Sequence, residues 1–167
     1  MMSVPKNTDV FLTSLQISEY VRKGFSEIQS SPDIEKLVHF HSINKFLLMA
    51  HSPHGTRILG NIVANHERLA LDTVFVKYGL QLGQVLKSEP STKFHANVLQ
   101  KIFGYFKKEL MPEEKAKILD VIFEYRKGTT TLNDALLLLE ELTRKFQKTY
   151  LVRQTYFLLY AKETESK

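Results

Sequence analysis

The stretch from Ser91 to Leu110 carries the densest chemistry in this sequence. Placed on a helical wheel, Phe94, Val98, Leu99, Ile102, Phe103, Tyr105, Phe106 and Leu110 share one arc, and Asn97, Gln100, Lys101, Gly104, Lys107 and Lys108 share the opposite one. Three ammonium groups with no acid among them suit phosphate, and the two side-chain amides add directional hydrogen bonds. A glycine inside a helix costs about 1 kcal/mol relative to alanine. Gly104, central on the polar arc, therefore predicts the close approach of a phosphate backbone or a partner helix. Tyr105 is available for a more specific contact, although its arc favours the core. His95 falls in the middle of the apolar arc and reads as a hydrogen-bonded core histidine.

Two further groups could do chemistry. His41 and Lys45 lie four residues apart on one helix side, and Lys45, in an apolar setting, needs a route to solvent or a partner. Ser52 and Arg57 flank the helix start of His51-Ser52-Pro53-His54, where exposed N–H groups suit an anion. The alternative to an RNA-binding face is a stand-alone enzyme or small-ligand protein with a pocket of His41, His51, Ser52, His95 and Tyr105, beside Lys45, Arg57 and Asn97. Catalytic ingredients are thin. There is no His-x-x-x-His pair, nucleophile elbow, phosphate-binding glycine loop or dinucleotide fingerprint. A metal site would have to be assembled from distant histidines such as His41, His51 and His95, and neither a metal nor a cofactor is predicted.

Prolines and caps mark the elements that must position these groups. Ser31-Pro32-Asp33, Ser52-Pro53 and Met111-Pro112-Glu113-Glu114 read as helix starts, because proline lacks an N–H that the first turn would leave unpaired, and acids favour the positive end of the helix dipole. Ser91 and Thr131 are N-cap candidates, and Gly128 is a stop. Between these marks apolar spacing is helical, with Phe11, Leu15, Val21, Phe25 and Ile28 on one side of the first helix. The segment from Ile34 to Met49 is apolar nearly all round, which predicts a central, buried helix. The whole predicts an all-α, single-domain bundle of about seven or eight helices, over 8–29, 32–51, 53–66, 70–88, 91–110, 112–127, 131–147 and 149–159.

A chain of 167 residues with 43% hydrophobic and 25% charged residues has the size and composition of one packed domain. Its longest apolar runs, Phe46 to Ala50 and Ala135 to Leu139, fall far short of the roughly 20 residues that span a membrane. Met1 to Val10 carry no export-signal pattern, so a cytoplasmic protein is expected. Without cysteine, this chain can hold no disulfide, thiolate nucleophile or iron–sulfur cluster. The net charge is +5, and its distribution says more than its sum. Acids are absent from 36–66, 90–108 and 142–162, and these windows concentrate lysine and arginine.

The string His41, Lys45 and Leu47 to Pro53, with Arg57 and Gly60 following, resembles the YbgA-like family, a helical domain of unknown function in bacteria and archaea. The resemblance continues through His95 to Gln100, Gly104 to Lys107, Glu114-Lys115, Tyr125, Gly128, Tyr150-Leu151 and Gln154-x-Tyr156. It divides the chain into an N-terminal helix, 1–35, outside the match, and a YbgA-like domain, 36–162, the two forming one compact unit. Similar domains occur alone or joined to a cysteine-rich, thiouracil-desulfidase-like domain, where the helical part resembles a module that holds tRNA. The resemblance thus implies RNA as partner, with a separate desulfidase-like protein for any sulfur chemistry. The family's frequent histidine is replaced here by Lys101, which leaves the lysine-lined face intact. The expectation is a cytoplasmic accessory module that binds RNA, most specifically tRNA, through Lys45, Arg57, Asn97, Gln100, Lys101, Gly104, Lys107 and Lys108.

Overall fold

A computed structural model describes residues 12–161. Among the described residues there are nine helices and no strand: α1 (Ser14–Gln29), α2 (Ile34–His51), α3 (Pro53–Ala64), α4 (Leu71–Lys87), α5 (Thr92–Gly104), α6 (Pro112–Lys127), α7 (Leu132–Lys145), α8 (Thr149–Val152) and α9 (Thr155–Tyr160). Local chemistry sets most of their starts. The side chains of Asp33, Ser52, Ser91 and Thr131 accept the N–H of Glu35, Gly55, Phe94 and Asp134, satisfying donors that a helix start leaves unpaired. At α6 the Glu114 carboxylate reaches back 2.9 Å to the Met111 N–H. Two ends use left-handed residues, Asn65 at φ 50° and Gly128 at φ 85°.

The central helix is α2, which packs against α1, α3, α4, α5 and α9. Leu37, Leu47, Leu48 and Ala50 are buried to completion, as a helix apolar on all sides requires. A cluster of Phe25, Phe40, Phe75 and Tyr78, with centroids 5.6–6.0 Å apart, joins α1 to α2 and α4. At the other end the Gln154 side chain docks on the α2 backbone. Its Oε1 accepts the Phe46 N–H at 3.3 Å and its Nε2 donates to the Ser42 carbonyl at 2.7 Å.

Several boundaries differ from the expectation, each for a physical reason. α2 starts at Ile34 instead of 32 because Asp33 is the cap. The predicted helix 91–110 stops at Gly104. Beyond it the Tyr105, Phe106 and Glu109 N–H groups each reach back three residues, to Ile102, Phe103 and Phe106, as tightened turns. Phe106 and Leu110 stay buried through those turns, which is why the apolar pattern continued past the helix end. Gly104 therefore closes a helix and does not sit mid-helix; among the described residues a Cβ there would meet no atom within 4 Å. Lys107 and Lys108 lie in the turns, off the helical arc that had grouped them with Lys101. Leu15 is 68% exposed, since Ile17, Ser18, Val21 and Phe25 face the bundle instead. The last predicted helix is divided into α8 and α9 by Arg153 and Gln154. Phe11 and the start of the predicted 8–29 helix lie outside the described residues.

The tightest glycine is Gly55, in the first turn of α3. A Cβ there would lie 2.6 Å from Val85 Cγ2 and 2.9 Å from the capping Ser52 Oγ. Val85 is buried and cannot swing away. Gly55→Ala should therefore lose roughly 1–3 kcal/mol to overpacking despite alanine's better helix propensity. A denaturant midpoint at or above that of the parent protein would contradict this packing.

Candidate functional site

Two contacts orient α5 against α2. The Phe46 ring meets the Tyr105 ring edge-on at 6.1 Å. One turn later Met49, with Pro53, borders an open cleft of about 350 Å³ whose other wall holds Phe94, Asn97, Gln100 and Lys101. Advancing along α2 means going back along α5, so the two helices run antiparallel. α3 folds back from the Ser52-Pro53 corner and lies antiparallel to α2: His41 Nε2 comes within 3.5 Å of where a Cβ of Gly60 would stand. Lys45 is one turn before Met49 and Arg57 one turn after Pro53 along their helices, and neither lines the cleft itself. Asn97, Gln100 and Lys101 share the cleft wall, and the candidate face adds Lys45 of α2, Arg57 of α3, and Lys107 and Lys108 from the turns after α5.

That face contains no acid on any of its helices: α2 beyond Glu35, α3 and α5 hold none. Among the described residues no carboxylate lies within ion-pair distance of Lys45, Arg57, Lys101, Lys107 or Lys108, whereas Lys127, Arg144, Lys145 and Lys148 pair with Glu124, Glu140, Glu114 and Glu109. The contrast separates the three basic windows. Positive charge in 142–162 is partly neutralised across helices, and that in 36–66 and 90–108 is not. Lys45, expected in an apolar setting, is exposed. Asn97 is half-buried in the cleft wall and Gln100 exposed.

His41, His51 and His95 do not add to this face's charge. His41 Nδ1 sits 2.9 Å from Tyr78 Oη on α4, and burial, then the Lys45 charge, lowers its pKa from 6.5 to about 4. His51, only 1% exposed, has Nδ1 2.6 Å from the Ser88 carbonyl, so Nδ1 carries the hydrogen and donates it. Its Nε2 then holds a lone pair and is, among the described residues, a buried side-chain nitrogen with no partner. Burial holds the His51 pKa below its ordinary value. His95 is buried as its wheel position predicted, with Nδ1 2.6 Å from Tyr156 Oη and its ring packed against Tyr156 and Tyr160. Burial, then the proximity of His51, lowers its pKa to about 4.

Of the alternative pocket of His41, His51, Ser52, His95 and Tyr105, His51 and His95 lie close enough to interact, and each of the five has its own structural contacts. His41 faces α4, and His51 and Ser52 hold the α2–α3 corner. His95 faces α9, while Tyr105 is at the surface. The cleft beside α5 takes in none of the five. Ser52 Oγ already accepts the Gly55 N–H at 2.9 Å, so it serves as a cap and has that donor in hand before any anion arrives. Among the described residues no three His, Asp or Glu side chains converge as metal ligands. Sequence reasoning assigned no contact to Tyr78, Tyr156, Tyr150 and Gln154, the residues that hold the histidines and brace Tyr105, although the last three stand in motifs that carry the resemblance. Their partners lie 37–112 positions away in the chain, beyond any local pattern.

No helix among the described residues is long and apolar enough to cross a membrane. Comparison with known proteins adds kinship. The uncharacterized protein YbgA of Escherichia coli (strain K12) is 29% identical over 125 residues, covering 74% of each chain. No solved structure matches. Residues 45–161 match the family described as protein of unknown function (DUF1722), a span that includes every cation of the face and the whole of α5. The chain belongs to the DUF1722 family.

Proposed function

We propose that this protein binds RNA, and tRNA in particular, through the face formed by α2, α3 and α5, as an accessory module beside a separate RNA-modifying or sulfur-removing enzyme. The observation that carries the reading is the set of cations with no ion-pair partner among the described residues, on helices that hold no acid beyond Glu35. Lys101 lines the cleft, Lys45 and Arg57 stand one helical turn from its Met49 and Pro53, Lys107 and Lys108 follow in the turns after α5, and the next acid in sequence, Glu109, is taken up by Lys148 at 2.7 Å. Free cations with no neighbouring carboxylate attract a phosphate backbone by Coulomb energy and counterion release. Asn97 and Gln100 stand in the same wall to add directional contacts to sugar or base. The YbgA-like resemblance points to the same partner, and a chain without cysteine leaves thiolate-held cluster chemistry to another protein.

Lys101→Ala combined with Lys107→Ala tests the reading. Both side chains are exposed and neither holds the core, so the melting temperature should stay put. An exposed charge pair contributes about 0.2–1 kcal/mol, and two together should weaken tRNA binding roughly tenfold. Parental affinity in a folded double variant, read by filter binding at low salt, would remove this face from the argument.

A further inference from the structure

We propose that Tyr105 is a stacking platform for an unpaired nucleotide base at the edge of the lysine-lined face, so that the preferred substrate is single-stranded or loop RNA and not duplex. The inference rests on the RNA reading above and adds the form of RNA that is recognised.

Tyr105 immediately follows α5 with 42% of its surface exposed. It is a braced ring. Tyr150 lies nearly parallel to it at 5.9 Å and 26°, and Phe46 meets it edge-on at 6.1 Å and 89°. Tyr150 is itself held, because its hydroxyl donates to the Ser42 carbonyl at 3.3 Å and its ring packs edge-on against Phe46. Gln154 fastens the same segment to α2 through Phe46 N–H and the Ser42 carbonyl. A base that stacked on the open side of Tyr105 would extend an existing pair of aromatic rings against an immobile support, with little ordering left to lose. Phe123, also exposed, already has the Lys127 ammonium over its ring at 5.0 Å and lacks such a brace.

The charges round the ring complete the fit. Lys101 stands one helical turn before Tyr105 on the same side, Lys107 and Lys108 follow in the next turns, and Lys45 is the chain neighbour of Phe46. A stacked base carries a phosphate on either side, and the lysines before and after Tyr105 in the chain supply charge for both. Aromatic faces flanked by a basic track are how single strands are held without regard to sequence. In an A-form duplex the bases are stacked on one another and cannot offer a face to a side chain.

The test is fluorescence anisotropy with a labelled single-stranded RNA of about 12 nucleotides, the same strand annealed to its complement, and inorganic polyphosphate as an unlabelled competitor. The expected result is tighter binding of the single strand. Tyr105→Ala should lower single-strand affinity about tenfold, leave duplex affinity unchanged and melt like the parent protein, while Tyr105→Phe should bind as the parent does. Unchanged single-strand affinity in folded Tyr105→Ala would overturn the platform and leave the phosphate reading standing. So would polyphosphate that competes as well, charge for charge, as the single strand. Absence of binding to either RNA would overturn the RNA reading and the platform with it.

Discussion

His95→Ala is expected to lower the melting temperature by roughly 4–16 °C. The truncation empties a buried site between Tyr156 and Tyr160 and removes the 2.6 Å bond to Tyr156 Oη. Losing a buried side chain of this size costs about 2–4 kcal/mol, and in a chain of this length each kcal/mol moves the midpoint by about 2–4 °C. RNA binding should fall only as far as the fraction unfolded rises. Asn97→Ala, two residues on, should do the reverse. Its side chain lines the cleft with Gln100 and Lys101, so the melting temperature should hardly change while RNA affinity drops. Thermal melts and binding isotherms on the two variants decide the matter; a fully stable His95→Ala protein that has lost binding would turn the assignment round and favour a histidine site.

Acid should destabilise the fold in a defined window. Buried His95 is neutral in the native state with its pKa lowered to about 4, against 6.5 for an unperturbed histidine. Between those values the unfolded chain binds a proton that the folded chain refuses, so stability rises with pH across the window. The contribution is complete above pH 6.5, declines as pH falls towards 4, and does not decline further from this group below that. Its full size is about 3 kcal/mol at most. His41, held at about 4 by burial and Lys45, and His51, held down by burial, act in the same direction. Urea midpoints measured from pH 7.5 to 4 should fall steadily below about 6.5. A flat profile down to pH 4.5 would mean that these rings are not buried as neutral groups. Replacing His95 should flatten part of the slope, which separates its share from the others.

The helix starts were legible because their chemistry is local: a cap and the N–H that it accepts are two or three residues apart, as at Ser52 with Gly55 or Ser91 with Phe94. The end of α5 was not. Phe106 and Leu110 remain buried in turns that keep the apolar rhythm of a helix, and periodicity cannot tell the two apart. Composition revealed that the helices α2 beyond Glu35, α3 and α5 lack acids, but not that the third basic window is partly neutralised, since Glu109 and Glu114 reach Lys148 and Lys145 from other segments. The same distance hid Tyr150. A ring 45 positions from Tyr105 in sequence becomes its parallel neighbour only because Gln154 draws the C-terminal helices onto α2. His95 was readable as core from its place among Val98, Leu99 and Ile102, while its partner Tyr156 was not.

The central claim is that the cations of α2, α3, α5 and the turns after α5 hold phosphates. Titration of the intact protein with tRNA at a series of salt concentrations tests it most directly. If Lys45, Arg57, Lys101, Lys107 and Lys108 each neutralise one phosphate, the plot of log affinity against log salt should fall with a slope of about −3.5 to −4.5. Lys101→Ala with Lys107→Ala should reduce the steepness by about 1.5. A slope near zero, or one that the double variant leaves unchanged, would contradict the account.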